Sequence, residues 1–308
     1  MRNKLVVILG PTASGKTDLS LKIAKKFNGE IVSADSRQIY CGMDIGTAKP
    51  LDFKGIPHHL LNIKNPNQSY TVAEYKKEAI KIIKDIQKRD KLPIVVGGTG
   101  LYIKAVVDNL DIPKIRANHQ LREKIEKDIQ KRGLSYVFKK LIKIDPEAAY
   151  IIDPNNPRRV VRALEVTLLS KKPFSSQRKV NPPLFDFIEI GISLSKENLR
   201  KRINARVHRM IKDGLLDEVK NLVKKYGENQ QAFEAIGYRE IIKYLNKKIT
   251  LKEAIKMIQL NSWRYAKRQM TWFRADKRIH WIKNQKEAEK LIKNFLQEEK
   301  NRELVDLY

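Results

Sequence analysis

A single cysteine, Cys41, stands among 308 residues. One thiol excludes an internal disulfide and any zinc site built on several cysteines, and a reducing, cytoplasmic setting is the expectation. No apolar run approaches the ~18 residues of a membrane span, and the short run at residues 5–9 behind Met1-Arg2-Asn3-Lys4 is less than a secretory signal requires. Repeats and low-complexity tracts are lacking too. Acidic side chains are the other scarcity: 35 Asp and Glu face 63 Lys and Arg, a net charge of +28. Such a field attracts polyanions and repels basic partners. Nucleic acid is the first candidate and an acidic membrane surface the second. The excess is uneven. Residues 1–113 carry 18 basic and 11 acidic residues (+7), and residues 114–308 carry 45 and 24 (+21). A Lys-rich composition alone would not spare the first third of the chain.

The remaining 42% hydrophobic content suffices for a sizeable core. Residues 5–9 form a continuous apolar, β-branched run, as a strand buried on both faces requires. Residues 17–27 read as a helix, 30–34 as a second strand ending at Asp35, 70–89 as a long amphipathic helix, and 93–96 as a third strand closed by Gly97-Gly98-Thr99-Gly100. This alternation predicts an α/β fold with an open, mostly parallel sheet. Past Pro113 the pattern turns helical and basic, and a strand returns only at 185–194. The expected division is therefore a first core part at 1–114, a helical insertion at 115–186 and completion of the core at 187–308, with one late strand at 279–282.

Gly10-Pro11-Thr12-Ala13-Ser14-Gly15-Lys16-Thr17 fits G-x-x-x-x-G-K-[ST], and it follows a strand and opens a helix, the context the motif demands. Its glycines let backbone N–H groups wrap phosphate oxygens at a helix N-terminus. Lys16 adds a point charge, and the Thr17 hydroxyl can reach Mg²⁺. The motif specifies phosphate rather than a nucleotide. An ATPase also needs an acid at the end of a neighbouring strand. The third strand ends in glycines, whereas the second ends in Asp35, placed where ligands bind in such sheets and suited to act as a general base. An ATPase, a small-metabolite kinase and a transferase using another diphosphate all remain compatible with these residues.

The blocks Gly10–Thr17, Ser33-Ala34-Asp35-Ser36-Arg37-Gln38-Ile39-Tyr40, residues 42–50 (GMDIGTAKP), Pro57-His58-His59-Leu60, residues 97–102, 158–165, 235–240 and 267–274 together resemble the tRNA dimethylallyltransferases, in order and across most of the chain. Any one block is weak, but the ordered set is specific. The resemblance implies a P-loop α/β fold with a helical insertion, and transfer of a dimethylallyl group from dimethylallyl diphosphate to N6 of adenine 37 in tRNAs that read codons beginning with U. It implies Mg²⁺ as cofactor, a P-loop that holds the donor's diphosphate, and an insertion that grips the anticodon stem-loop; a monomer is the expectation. One departure stands out: Arg158-Arg159 replaces the family's Gln-Arg, adding a cation. A single cysteine cannot build the C-terminal zinc finger of eukaryotic relatives, which points to the bacterial type.

Roles follow from this resemblance and from the chemistry. The adenine amine is a weak nucleophile, so the diphosphate must be helped to leave and the amine must lose a proton. Lys16, the loop N–H groups and Mg²⁺ near Thr17 serve the leaving group, joined by Arg206, which matches a family arginine. Asp35 is the expected base. Ser36, Arg37 and Gln38 are expected to hold the target nucleotide with Asp35, and Thr99 to line the channel. Arg122 and the run Arg158, Arg159, Val160, Val161 and Arg162 are expected to contact tRNA. Two rival readings stand beside this one. A metabolite kinase leaves the +21 segment unexplained, and a non-enzymatic RNA-binding protein leaves the phosphate loop beside Asp35 unexplained.

Overall fold

The structure is a computed structural model that describes residues 3–50, 52–113, 115, 117–177 and 181–305, with side chains through residue 297. The chain divides into two compact units, Met1–Val107 with Leu184–Tyr308, and Asp108–Pro183.

In the first unit, β1 (Lys4–Leu9) leads into α1 (Lys16–Lys26) and β2 (Gly29–Ala34), then a two-residue strand β3 (His58–His59), α2 (Val72–Lys88), β4 (Leu92–Gly97) and α3 (Gly100–Val107). The second unit consists of α4 (His119–Arg132), α5 (Leu134–Ile144), α6 (Ala148–Ile151) and α7 (Pro157–Ser170). The chain then returns through β5 (Asp186–Ile192), α8 (Lys196–Lys212), α9 (Leu215–Tyr226), α10 (Tyr238–Leu245), α11 (Leu251–Arg274), β6 (Ile279–Ile282) and α12 (Gln285–Val305). None of the described helices is long and apolar enough to cross a membrane.

All strand pairings are parallel, in the order β3-β2-β4-β1-β5-β6. Every residue of β1 is buried, because both faces of the sheet are covered. Leu5, Val7 and Leu9 pack on one side with Tyr75, Ala79, Ile83 and Ile86 of α2 and with α3. Val6 and Ile8 pack on the other with α1 and with Ala288, Ile292 and Phe295 of α12. This two-sided burial is why the strand reads as an unbroken apolar run. The helices start where their capping chemistry dictates. Thr71 with Glu74 and Thr250 with Glu253 form capping boxes at α2 and α11, and Ser195 caps α8. A third cluster, built from α8 to α11, closes over Ile39, Tyr40 and Met43 of the long loop after β2.

The unit boundaries differ from those expected. Asp108 directly follows the last residue of α3, and Phe185 is buried in the sheet core just before β5 opens at Asp186. The insertion therefore spans 108–183 rather than 115–186, and residue 114 itself lies outside the described residues. The edge strand β3 had no apolar pattern to announce it. It is held by charge instead. His59 Nε2 lies 2.8 Å from Glu30 Oε2, and the same buried carboxylate pairs with Arg89 in a two-pronged contact and with Lys91 at 2.9 Å. His58 hydrogen-bonds the Ile56 carbonyl at 2.8 Å. The adjacent histidines are thus hydrogen-bonding residues of the sheet edge.

The hydrogen bonds from Arg89 lead those from His59 and Lys91 in holding the Glu30 carboxyl down to about 2, against burial that would raise it. A carboxyl depressed in the folded state contributes stability that is present above its ordinary value of 4.5 and lost as pH falls toward 2. Glu30→Gln is expected to cost about 2 kcal/mol at neutral pH by removing the charge-assisted bonds that a buried carboxylate accepts from Arg89, His59 and Lys91, and to flatten the loss of stability below pH 4.5. Urea unfolding across a pH series measures both, and an unchanged acid limb would contradict the assignment.

Candidate active site

The P-loop leaves the carboxyl end of β1 and winds through positive φ at Ala13 (62°) and Gly15 (95°) before α1 begins. Gly15 precedes α1 without any side-chain cap, so the first-turn N–H groups have no side-chain acceptor and present a ready anion site. Ser14 Oγ is buried with no hydrogen-bond partner among the described residues. Pro11 accepts from Lys16 Nζ through its carbonyl at 2.8 Å. Thr12 is held twice: its N–H donates to Gln269 Oε1 at 2.8 Å, and its hydroxyl accepts from Arg206 Nη1 at 3.2 Å. Arg202 Nη1 donates to the Ser14 carbonyl at 3.1 Å. No hydrogen bond engages the Thr17 hydroxyl among the described residues.

Because β4 lies between β1 and β2, the ends of all three strands converge. Asp35 follows β2 and is half-buried. Its Oδ1 accepts from the Arg37 N–H at 2.8 Å and the Gln38 N–H at 3.4 Å, an Asx-type turn that fixes the carboxylate's direction. Oδ2 makes no hydrogen bond among the described residues. Thr99, just past β4, receives the Ser36 N–H on Oγ1 at 3.1 Å and donates its own N–H to the Ala34 carbonyl at 3.1 Å. Arg37 reaches the Gln231 carbonyl at 3.0 Å, and Gln38 Nε2 donates to the Thr47 carbonyl at 3.2 Å. The same carbonyl accepts from Arg206 Nη2 at 3.4 Å.

Electrostatics tie these groups into one site. Desolvation, then Arg206, lowers Lys16 to about 8, with Asp35 pulling the other way. Desolvation also lowers Arg206, again opposed by Asp35. Two crowded cations with one nearby carboxylate are a site short of negative charge.

The candidate RNA residues divide. Arg158 and Arg159 are exposed in the first turn of α7. Val160 and Val161 are buried in the core of the second unit beside Ile125, Val137 and Leu141. Their side chains support α7: the fourth and fifth residues of this helix turn inward because that face packs. Arg122 and Arg162 converge on buried Glu165, at 2.9 and 2.6 Å. Burial would raise that carboxyl, but Arg122, Arg162 and the Asn118 N–H hold it lowered. These two arginines therefore already have an anionic partner.

Three residues escaped sequence reading. Gln269 bridges Thr12 to the Gly98 carbonyl (2.8 Å) from the buried face of α11. Tyr265, one turn earlier, hydrogen-bonds Thr99, while burial, then Asp35, pushes its hydroxyl up to about 12. Glu218 accepts hydrogen bonds from the backbone of the 42–50 loop. Only Gln269 carried a signal, as an amide set between Ala266 and Phe273 on the buried face of its helix.

A parallel sheet with a glycine-lysine loop after β1 and a carboxylate after β2 defines a P-loop protein with a second reacting group beside its phosphate cradle. Within that class the chain belongs to the IPP transferase family, whose profile matches residues 38–276. It is 46% identical over 304 residues to the tRNA dimethylallyltransferase of Carboxydothermus hydrogenoformans, covering 97% of this chain and 98% of that one. The fold matches the full-length tRNA isopentenylpyrophosphate transferase of Bacillus halodurans with a TM-score of 0.74 and 41% identity, covering 98% and 99%. A eukaryotic dimethylallyltransferase acting on tRNA matches with a TM-score of 0.78 and 31% identity, covering 91% of this chain and 74% of that one.

A lysine of lowered pKa is charged below that value and neutral above it. With Lys16 at about 8, affinity for inorganic pyrophosphate is expected to fall above pH 8, approaching about tenfold per pH unit. Calorimetric titration from pH 7 to 9.5 checks it against a Lys16→Met variant, and a profile that Lys16→Met leaves unchanged would remove Lys16 as the phosphate cation.

Proposed function

We propose that this chain is a tRNA prenyltransferase that moves a dimethylallyl group from dimethylallyl diphosphate to N6 of adenine 37 in tRNAs reading codons that begin with U. One observation carries the reading beyond family membership: a carboxylate oxygen of Asp35 without a hydrogen bond lies in the field of Lys16 and Arg206, beside a phosphate loop. A hydrolase would use an acid there to prepare water. A transferase uses it to take a proton from the acceptor amine.

The P-loop N–H groups, Lys16, Arg206 and the Ser14 hydroxyl bind the diphosphate, with Gly10 and Gly15 allowing the backbone to close round it. The residues fit Mg²⁺ as a companion of the donor. Among the described residues no cluster of three His, Cys, Asp or Glu side chains stands ready, whereas the Thr17 hydroxyl and Ser14 Oγ, which has no hydrogen-bond partner among the described residues, offer hard oxygen chemistry suited to that ion. Thr17 would hold it, and the ion would neutralise charge on the leaving diphosphate.

The target adenine is unpaired in its loop, so extruding it costs only a few kcal/mol. Ser36, Arg37 and Gln38 form the wall that receives it, ordered by the Asp35 turn and by Thr99. As N6 attacks, the N6–C1 bond forms, the C1–O bond breaks and diphosphate leaves with the electron pair. Oδ2 of Asp35 takes the N6 proton, while Oδ1 stays bonded to the turn. Lys16 and Arg206 balance the charge that grows on the departing oxygen. Arg158 and Arg159 supply phosphate contacts that position the RNA, and readout falls to unpaired bases near the target. The additional cation at Arg158 strengthens the sequence-independent part of binding.

Incubation with unmodified tRNA, labelled dimethylallyl diphosphate and Mg²⁺ is expected to place label on adenine 37, and absence of label would defeat the reading. Asp35→Asn keeps an acceptor for the turn and is expected to lower kcat by about 10²–10⁴-fold with tRNA affinity within twofold. Near-normal turnover would remove Asp35 as the base. Arg158→Gln, which restores the family's usual residue, is expected to weaken tRNA binding about threefold at low salt and to reduce the salt slope by about one. A filter-binding salt series measures both, and an unchanged slope would mean that Arg158 meets no phosphate.

A further inference from the structure

The loop at residues 42–50 contributes no side chain to the chemistry proposed above, yet two of the site's residues hang on its backbone. The Thr47 carbonyl accepts from Arg206 Nη2 at 3.4 Å and from Gln38 Nε2 at 3.2 Å. Arg206 uses its other terminal nitrogen on Thr12 of the P-loop. The position of that carbonyl therefore fixes where the diphosphate cation points.

What fixes the carbonyl is Glu218, in the first turn of α9. Its Oε2 accepts the N–H groups of Asp44 (3.0 Å) and Ile45 (2.7 Å), and its Oε1 accepts the Gly46 N–H (3.1 Å) and the Tyr238 hydroxyl (2.6 Å). Three successive N–H groups converging on one carboxylate form an anion nest filled from within the chain, and charge-assisted bonds of this kind are the strong ones. The fit is close. A Cβ on Gly46 would lie 2.4 Å from Tyr238 Cε2 and 2.8 Å from its hydroxyl. From the other side, Lys49 Nζ bonds Asp44 Oδ1 at 2.7 Å and the Tyr40 carbonyl at 2.5 Å. Thr47 closes the turn by donating its hydroxyl to the Met43 carbonyl at 2.6 Å.

We propose that Glu218 is a positioning residue for diphosphate binding and transfer: through the N–H groups of residues 44–46 it sets the Thr47 carbonyl, which aims Arg206 at the P-loop and Gln38 at the nucleotide wall. The proposal rests on the assignment of that loop to a diphosphate. It extends the site to a carboxylate that touches neither substrate.

The test is a double-mutant cycle read by calorimetric titration of the full chain with inorganic pyrophosphate and Mg²⁺, alongside steady-state kinetics. Glu218→Gln keeps the shape but turns an amine toward donors. It is expected to weaken pyrophosphate binding about tenfold and kcat by about 10–100-fold, with KM for tRNA within twofold. Gly46→Ala displaces the same loop from the Tyr238 side without touching Glu218 and is expected to do the same. It also covers the case in which Glu218→Gln does not fold. Arg206→Gln combined with either is expected to add little, because both act on one contact. Tyr238→Phe leaves the three N–H bonds in place and is expected to lower the melting temperature while pyrophosphate affinity stays within twofold. Folded variants at positions 218 and 46 that bind pyrophosphate like the parent, or effects that add fully to that of Arg206→Gln, would overturn the proposal. Failure of the parent chain to prenylate tRNA would strike the functional reading alone, since pyrophosphate affinity still reports the role of Glu218.

Discussion

The site depends on an imbalance of charge. Lys16 and Arg206 stand close enough, and far enough from water, that each cation is disfavoured, and the nearest opposing group, Asp35, compensates only part of that. Isolated cations pushed out of water are costly, and here the surrounding structure pins both: Lys16 to a carbonyl of its own loop, Arg206 to a threonine hydroxyl and a carbonyl. In the proposed reaction an incoming diphosphate would relieve that repulsion. Binding energy of this origin grows as negative charge accumulates on the leaving oxygen, so it favours the transition state over the ground state.

That imbalance is sustained by groups that do no chemistry. Gln269 ties the P-loop to the end of β4, Thr99 ties the end of β4 to the turn after Asp35, and Glu218 ties the intervening loop to α9. Each gives a backbone polar group a fixed partner, while Ser14 Oγ and one Asp35 oxygen keep none among the described residues. Asp35 shows the division within one side chain, with one oxygen committed to the turn and the other without a hydrogen bond. The second unit repeats the theme around Glu165. Arg122 and Arg162 neutralise a buried carboxylate there, and the exposed cations are left to Arg158 and Arg159.

Much of this was legible in the sequence, and the reason differs by residue. β1 and β4 betray themselves because burial on both faces demands continuous apolar runs, and the P-loop because phosphate chemistry constrains glycine and lysine at fixed spacing. Asp35 is legible from topology, as an acid ending a strand next to that loop. β3 is not, because two histidines held by a buried glutamate carry no periodicity. The burial of Val160 and Val161 was not legible, because a block read for its arginines says nothing about which helix face packs. Glu218, Tyr265 and Gln269 lie far along the chain from the loops they brace, and only the packing of α9 and α11 brings them there.

The bridge from Gln269 to Thr12 has a bearing on biosynthesis. The N-terminal half of the chain holds the phosphate loop and the acid, and it leaves the ribosome first. The amide that fixes the loop, the arginine that faces it and the carboxylate that orients that arginine all follow later. A nascent chain therefore carries the phosphate loop well before the side chains that brace it, which arrive only with α8, α9 and α11.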